Sequence, residues 1–165
     1  MLDKAAADYL ADISSGKTSL LIAATNRDVA ELNETIRAHY IAHSEVDTTV
    51  EAQLSRGEKA GVGDTILARK NQTFYDDETA TSARINNGTL LTVTAIAENG
   101  SITARNKATG EELCLPADYV HDNVQLGYAA TVHRAQGSTV DCTRAIIDHH
   151  VDLSLIHISE PTRPY

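Results

Sequence analysis

The sequence predicts an α/β domain: a parallel sheet interrupted by a small antiparallel β unit. Two observations carry that prediction. The apolar run Leu20-Leu21-Ile22-Ala23-Ala24-Thr25 is followed by Val29, Leu32, Ile36 and Tyr40 at spacings of three and four, a strand-turn-helix unit. The middle of the chain then changes to short strand-like segments beside the turn signals Asn87-Gly88, Asn99-Gly100 and Thr109-Gly110, before α/β character returns near Val124.

Length and composition set the bounds. A chain of 165 residues suffices for one ordinary domain, or for a smaller one carrying an insertion. At 42% hydrophobic and 22% charged it has a globular composition, not a disordered one. No apolar run approaches the roughly 20 residues needed to cross a bilayer. The acidic, helix-patterned start from Met1 to Ile13 is no secretory signal. Cys114 and Cys142 lack a paired-ligand spacing and read as reduced thiols of a cytoplasmic protein. The formal net charge of −9 argues against a sequence-independent DNA coat but leaves room for a local DNA groove.

Each element follows from its residues. Leu2, Ala6, Tyr9, Leu10 and Ile13 fall at helical spacing, so the chain is expected to open within a helix, and its start to be internal. Ser14 to Ser19 is a polar turn, and Leu20 to Thr25 suits a strand buried on both faces. Thr25 or Asn26 can cap the next helix, with Asp28 in its first turn, and the helix runs to about residue 43. Residues 44–60 are polar and weakly patterned. Val62 to Lys70, Thr89 to Ala97, Ser101 to Asn106 and Glu112 to Val120 read as short strands of a small SH3-like barrel, with an exposed loop over 72–86. Val124 to Ala129 reads as a strand, Val132 to Gln136 as a helical turn, and Ala145-Ile146-Ile147 as part of another strand.

Gly16-Lys17-Thr18 invites a phosphate-loop reading, which fails. That loop needs a glycine five positions before its last one, where this chain has Ala11 inside the opening helix. It should also follow a strand and open a helix, and here the order is reversed. Lys17 is therefore assigned to a turn, not to ATP. Asp148-His149-His150 with Asp152 suggests a metal site at first sight, yet adjacent histidines on a strand point to opposite faces. No metal ligand and no catalytic residue is assigned.

The stretch Leu126-Gly127-Tyr128-Ala129-Ala130-Thr131-Val132-His133-Arg134-Ala135-Gln136-Gly137-Ser138-Thr139-Val140-Asp141 resembles motif V of superfamily 1 DNA helicases. Leu21 to Asn33 is similar to the first strand and helix of the second RecA-like domain of those motors. The resemblance covers roughly residues 15–43 and 61–152. It implies a partial RecA-like, P-loop NTPase-type sheet over residues 1–60 and 124–152, with the SH3-like β insertion of RecD-like helicases over 61–123. Thr131 can donate its hydroxyl to a backbone phosphate. His133 can bond phosphate or stack on a base without sequence preference. Arg134 is either a phosphate partner or a solvated helix charge. Thr25 and Asn26 stand where strand ends form the ligand crevice of an open parallel sheet, though capping alone would explain them too. Gln136 and Gly137 resemble the turn facing the nucleotide, Gly137 doubling as a helix stop. Arg69 and Lys70, with Asn71, are candidates for weak backbone contacts along the insertion. Tyr128 reads as core, and Asn33 as structural.

Within the superfamily, Arg-Ala-Gln-Gly-Ser-Thr-Val-Asp over 134–141 and Asn-Arg-Asp-Val-Ala-Glu-Leu-Asn over 26–33 look most like the helicase part of MobF-type (TrwC-like) conjugative relaxases. That resemblance implies 5′ to 3′ movement on single-stranded DNA, with ATP and Mg²⁺ bound between this domain and an N-terminal RecA-like partner domain. This chain offers no phosphate loop, no acidic Mg²⁺ motif and no nicking domain, so the fragment alone is expected to bind no cofactor and to be inactive. The run Leu153 to Arg163 can be encoded by DNA resembling a transposase mosaic end and sequencing adapter; the natural sequence is expected to stop near Asp152, with 153–165 as read-through. Two alternatives share these residues: a RecD-like exonuclease subunit or stand-alone helicase, and a non-catalytic module that binds nucleic acid or protein.

Overall fold

The computed structural model of the chain describes residues 2–76, 81–131 and 142–145. Helix α1 (Leu2–Ser14) buries Ala6 and Tyr9. It stops at Gly16, whose φ of +82° is the left-handed conformation that a glycine adopts freely. Gly16-Lys17-Thr18 is thus a helix stop leading into a strand. Strand β1 (Ser19–Ala23) is buried at every position. Helix α2 (Asn26–Ala42) follows, with Val29, Leu32, Asn33 and Ile36 inward. Thr25 settles the choice of cap: its Oγ1 accepts from the Asp28 N–H at 3.1 Å.

The polar stretch after α2 is not shapeless. Strand β2 (Asp47–Gln53) pairs antiparallel with β3 (Lys59–Val62) across a one-turn helical segment, Ser55–Gly57. The single strand expected from Val62 to Lys70 is broken, because Gly63 takes φ +100° and packs against the Glu45 backbone, where a Cβ would lie 2.1 Å from the carbonyl oxygen. The chain resumes as β4 (Thr65–Ala68). The expected loop over 72–86 is instead a ribbon of β5 (Gln72–Asp76) and β6 (Thr81–Ile85). Phe74 anchors it edge-on against Tyr119 at 5.2 Å, and Ile85 is buried. Then come β7 (Leu90–Ile96), β8 (Ile102–Asn106) and β9 (Glu112–Leu115), as the turn signals foretold. The expected strand through Val120 ends early at Pro116, which opens α3 (Ala117–Asn123).

Val124 to Ala129 divides between two sheets. Strand β10 (Val124–Leu126) joins the antiparallel sheet, in the order β10-β4-β7-β8-β9. Strand β11 (Ala129–Thr131) lies parallel to β1, which lies parallel on its other side to β12 (Cys142–Ala145). The antiparallel sheet is open: β9 and β10, its two edges, are not hydrogen-bonded to each other, so no closed barrel forms among the described residues. The chain passes from β9 to β10 through α3, and β10 leaves after three residues. The switch between sheets occurs at Gly127, where a Cβ would meet the Ile66 carbonyl carbon and Leu90 at 2.9 Å. Only a residue without a side chain fits there. Most buried apolar residues of the helices and both sheets, from Ala6 to Ala129, form one continuous core.

Candidate nucleic-acid interface

Register decides which predicted residues meet. Ala23 at the end of β1 is the direct partner of Thr131 at the end of β11, on neighbouring strands about 4.8 Å apart. Both strands run the same way, so exposed Thr25 and Asn26, just past β1, share the carboxyl edge of the parallel sheet with half-exposed Thr131. Hydroxyls and an amide on such an edge, beside the amino end of α2, can donate to phosphate oxygens. The Thr25 hydroxyl oxygen serves as the cap, yet its proton is still available to donate. His133, Arg134, Gln136 and Gly137 lie outside the described residues, as does the metal-like run 148–152.

Arg69 and Lys70 are not part of this edge. Ala68 pairs with Val124, while the Gly127 N–H donates to Thr65 at the opposite end of β4. The two basic residues therefore stand at the end of β4 away from the sheet switch. Arg69 donates its backbone N–H to Asn123, and its Nε is buried without a partner among the described residues. The Lys70 carbonyl accepts from the Tyr119 hydroxyl, whose pKa burial pushes up to about 12.

A buried polar network holds the edge in place. The Asn33 Oδ1 accepts from the Tyr128 and Ala129 N–H groups at 3.1 and 2.8 Å, and its amide nitrogen reaches the Ala129 carbonyl at 3.4 Å. Tyr128 is fully buried, between Tyr9 and Tyr40 at ring distances of 5.9 and 5.6 Å. Its hydroxyl donates to Asp64 at 2.5 Å, and Arg37 Nε donates to the other oxygen of the same carboxylate at 2.7 Å. Arg37 also reaches Glu51 on β2. Burial, reinforced by the Asp64 charge, holds the Tyr128 phenol protonated far above its ordinary range. Asn33 and Tyr128 thus have the structural roles their sequence context suggests. Arg37 and Asp64 were not singled out from sequence; the only local signal is the Gly63-Asp64 pair inside the expected strand from Val62 to Lys70.

A cavity of about 250 Å³ adjoins the edge, lined by Asn26, Arg27, Val29, Ala30, Asn33, Arg56, Glu58 and Gln125. Burial raises the Glu58 pKa against the opposing effects of the Leu126 N–H and of Arg56. No cluster of metal-ligating side chains occurs among the described residues. No helix among them is long and apolar enough to cross a membrane.

No family model matches the sequence. The chain is similar to a probable conjugal transfer protein TraA of Sinorhizobium fredii, 26% identical over 154 residues. That match spans 93% of this chain but 13% of the relative, so the chain corresponds to a small part of a much longer protein. In structure it resembles Bacteroides Pif1 bound to single-stranded DNA, with a TM-score of 0.51, 17% identity, and coverage of 87% of this chain and 38% of that one. A second structure, Bacteroides Pif1 helicase with ADP-AlF3 and single-stranded DNA, gives a TM-score of 0.50 at 19% identity, covering 86% and 37%. The chain therefore has an α/β fold shared with part of a helicase.

Proposed function

We propose that this chain is part of the second motor domain of an ATP-dependent DNA helicase acting in conjugative DNA transfer, of the MobF relaxase type. The observation that carries the reading is the pairing of Ala23 with Thr131, which gathers Thr25, Asn26 and Thr131 on one carboxyl edge of a parallel sheet. Such edges are where open α/β sheets bind ligands. The similarity to a conjugal transfer protein and the shared fold with a helicase bound to single-stranded DNA support the same reading.

In this proposal Thr25, Asn26 and Thr131, continued by His133 and Arg134, hold the phosphates of a single strand. Gln136 and Gly137 carry the state of the nucleotide cleft to that grip. ATP and Mg²⁺ bind between this domain and a preceding RecA-like domain, and closure on ATP followed by opening after hydrolysis advances the strand 5′ to 3′ in the cytoplasm. Arg69 and Lys70 meet the strand farther along, on the insertion. This chain alone, having no phosphate loop, hydrolyses no ATP.

Fluorescence anisotropy with a labelled single-stranded oligonucleotide at low salt tests the grip. Thr131→Ala is expected to weaken binding about tenfold and Thr131→Ser to restore it. Binding indifferent to Thr131 but abolished by changing Arg69 and Lys70 would favour a non-catalytic binding module.

A further inference from the structure

The cavity beside the strand edge is a built site with one unused polar group. Gln125 is 4% exposed, lies in β10 between two core residues with its backbone paired to Leu67 of β4, and its side-chain amide makes no hydrogen bond with any described residue. Strand alternation puts it on the face opposite Val124 and Leu126, and it lines the cavity beneath the amino end of α2. An amide that no described group meets is left to solvent or to whatever enters the cavity.

The surrounding walls narrow what can enter. Val29 and Ala30 supply an apolar side. Arg27 and Arg56 are exposed at the rim, Arg56 held at a positive φ of 61° in the turn between β2 and β3. That turn is fixed to β10 by a hydrogen bond from Ser55 Oγ to the Val124 carbonyl at 2.9 Å. Glu58 Oε1 accepts the Leu126 N–H at 3.2 Å, so the carboxylate is partly engaged in structure. The site thus combines a cavity of about 250 Å³ with one apolar side, an amide in its lining, and two guanidinium groups at its mouth.

We infer that this cavity receives one base of the bound single-stranded DNA, with Gln125 bonding the base edge and Arg27 and Arg56 meeting the flanking phosphates. The inference rests on the reading of the neighbouring edge as a DNA grip. An amide carries both donors and an acceptor, so Gln125 can pair with the edge of any base, in keeping with a motor that tolerates all sequences. Asn26, on the rim of this cavity and on the strand edge alike, joins the two subsites.

The test compares the 165-residue chain bound to an oligothymidylate and to an abasic oligonucleotide of the same length, by anisotropy at low salt. The chain is expected to favour the base-bearing strand about tenfold, roughly the worth of one good hydrogen bond. Gln125→Met keeps the volume and is expected to erase that preference while leaving abasic affinity unchanged. Should Gln125→Met fail to fold, Ala30→Leu fills the slot from an exposed helix position and should have the same effect. A base preference that survives these changes overturns the cavity's role, even where Thr131→Ala still weakens binding. Failure of the unsubstituted chain to bind either strand overturns the DNA grip itself, and the base site with it.

Discussion

Asn33→Leu isolates the contact that fixes the strand edge. Asn33 is 1% exposed, and its oxygen is the acceptor for two successive backbone N–H groups, those of Tyr128 and Ala129. Leucine has the same branched shape and number of heavy atoms, with bulkier methyl groups, and suits a helix better, so it fills the space without admitting water. Both N–H groups are then buried unpaired. At about 1–3 kcal/mol each, less a few tenths for the better helix former, the loss is about 3 kcal/mol. With a urea slope of about 2 kcal/mol/M, the unfolding midpoint should fall by about 1.5 M. Asn33→Ala leaves room for a water to replace the amide and should lose less. Hydrogen exchange provides a second readout, since the Tyr128 and Ala129 amides should lose protection beyond what the global change explains. A midpoint shift under about 0.3 M for Asn33→Leu would refute the assignment of Asn33 as the fastener of this edge.

Other perturbations follow from the same contacts. Thr25→Ala should lower stability by about 1 kcal/mol through the lost cap, measured by urea unfolding, whereas Thr25→Ser keeps the cap; an oligonucleotide affinity that follows stability across the pair would mean Thr25 is only a cap. Glu58→Gln retains an acceptor for the Leu126 N–H and removes a carboxylate whose pKa burial has raised. Because the folded value lies above the unfolded one, ionised Glu58 destabilises the fold at neutral pH, so Gln should raise the thermal midpoint there and lose that advantage as pH falls below the carboxylate range. Tyr9, Tyr40 and Tyr128 have phenol pKa values raised chiefly by burial, that of Tyr40 to about 12. The folded state holds these protons more tightly, so stability is intact below pH 10 and falls above it as unfolded tyrosines ionise. Alkaline titration followed by tyrosinate absorbance and circular dichroism should show these tyrosines ionising together with unfolding.

The sequence was most legible where one period ran undisturbed. Val29, Leu32 and Ile36 mark the buried face of α2, and the wholly apolar Leu20 to Ala23 marks a strand covered on both faces. Threonine, asparagine and the Gly16 stop could be placed on turns from local chemistry alone. Legibility failed where tertiary contact overrides local pattern. Val62 to Lys70 alternates acceptably, but the close approach of Gly63 to Glu45 breaks it. The ribbon over 72–85 was hidden because its acidic tip dominates its composition, while Phe74 and Tyr119 hold it from 45 positions apart. Val124 to Ala129 looks like one strand because apolarity reports burial and not which sheet does the burying. The parallel-edge part of the candidate site was visible as residue types in a familiar order. The cavity was not, since nothing local distinguishes Gln125 from a polar residue on a solvent face.

The switch at Gly127 explains why one helix matters to both halves of the site. Asn33 and Arg37 are one turn apart on α2, so they project from the same side of the helix. Asn33 fastens β11 to the parallel sheet, while Arg37 fastens Asp64 and Glu51 of the antiparallel unit. Tyr128 links the two clamps, taking Asn33 at its backbone and Asp64 at its hydroxyl. The base-sized cavity has walls from α2, from the turn at Arg56 and from β10, so it exists only while those clamps hold the two sheets in register. Removing the carboxylate with Asp64→Leu would leave the Arg37 charge half-buried beside Glu51 alone and the Tyr128 hydroxyl without its acceptor. Breaking such a buried pair costs about 3–5 kcal/mol. A milder change, Tyr128→Phe, keeps the ion pair and removes the link between clamps together with the acceptor of the Thr65 N–H. It should weaken discrimination between base-bearing and abasic strands more than it weakens phosphate contact at Thr131, because the cavity is shaped by both sheets and the strand edge by one.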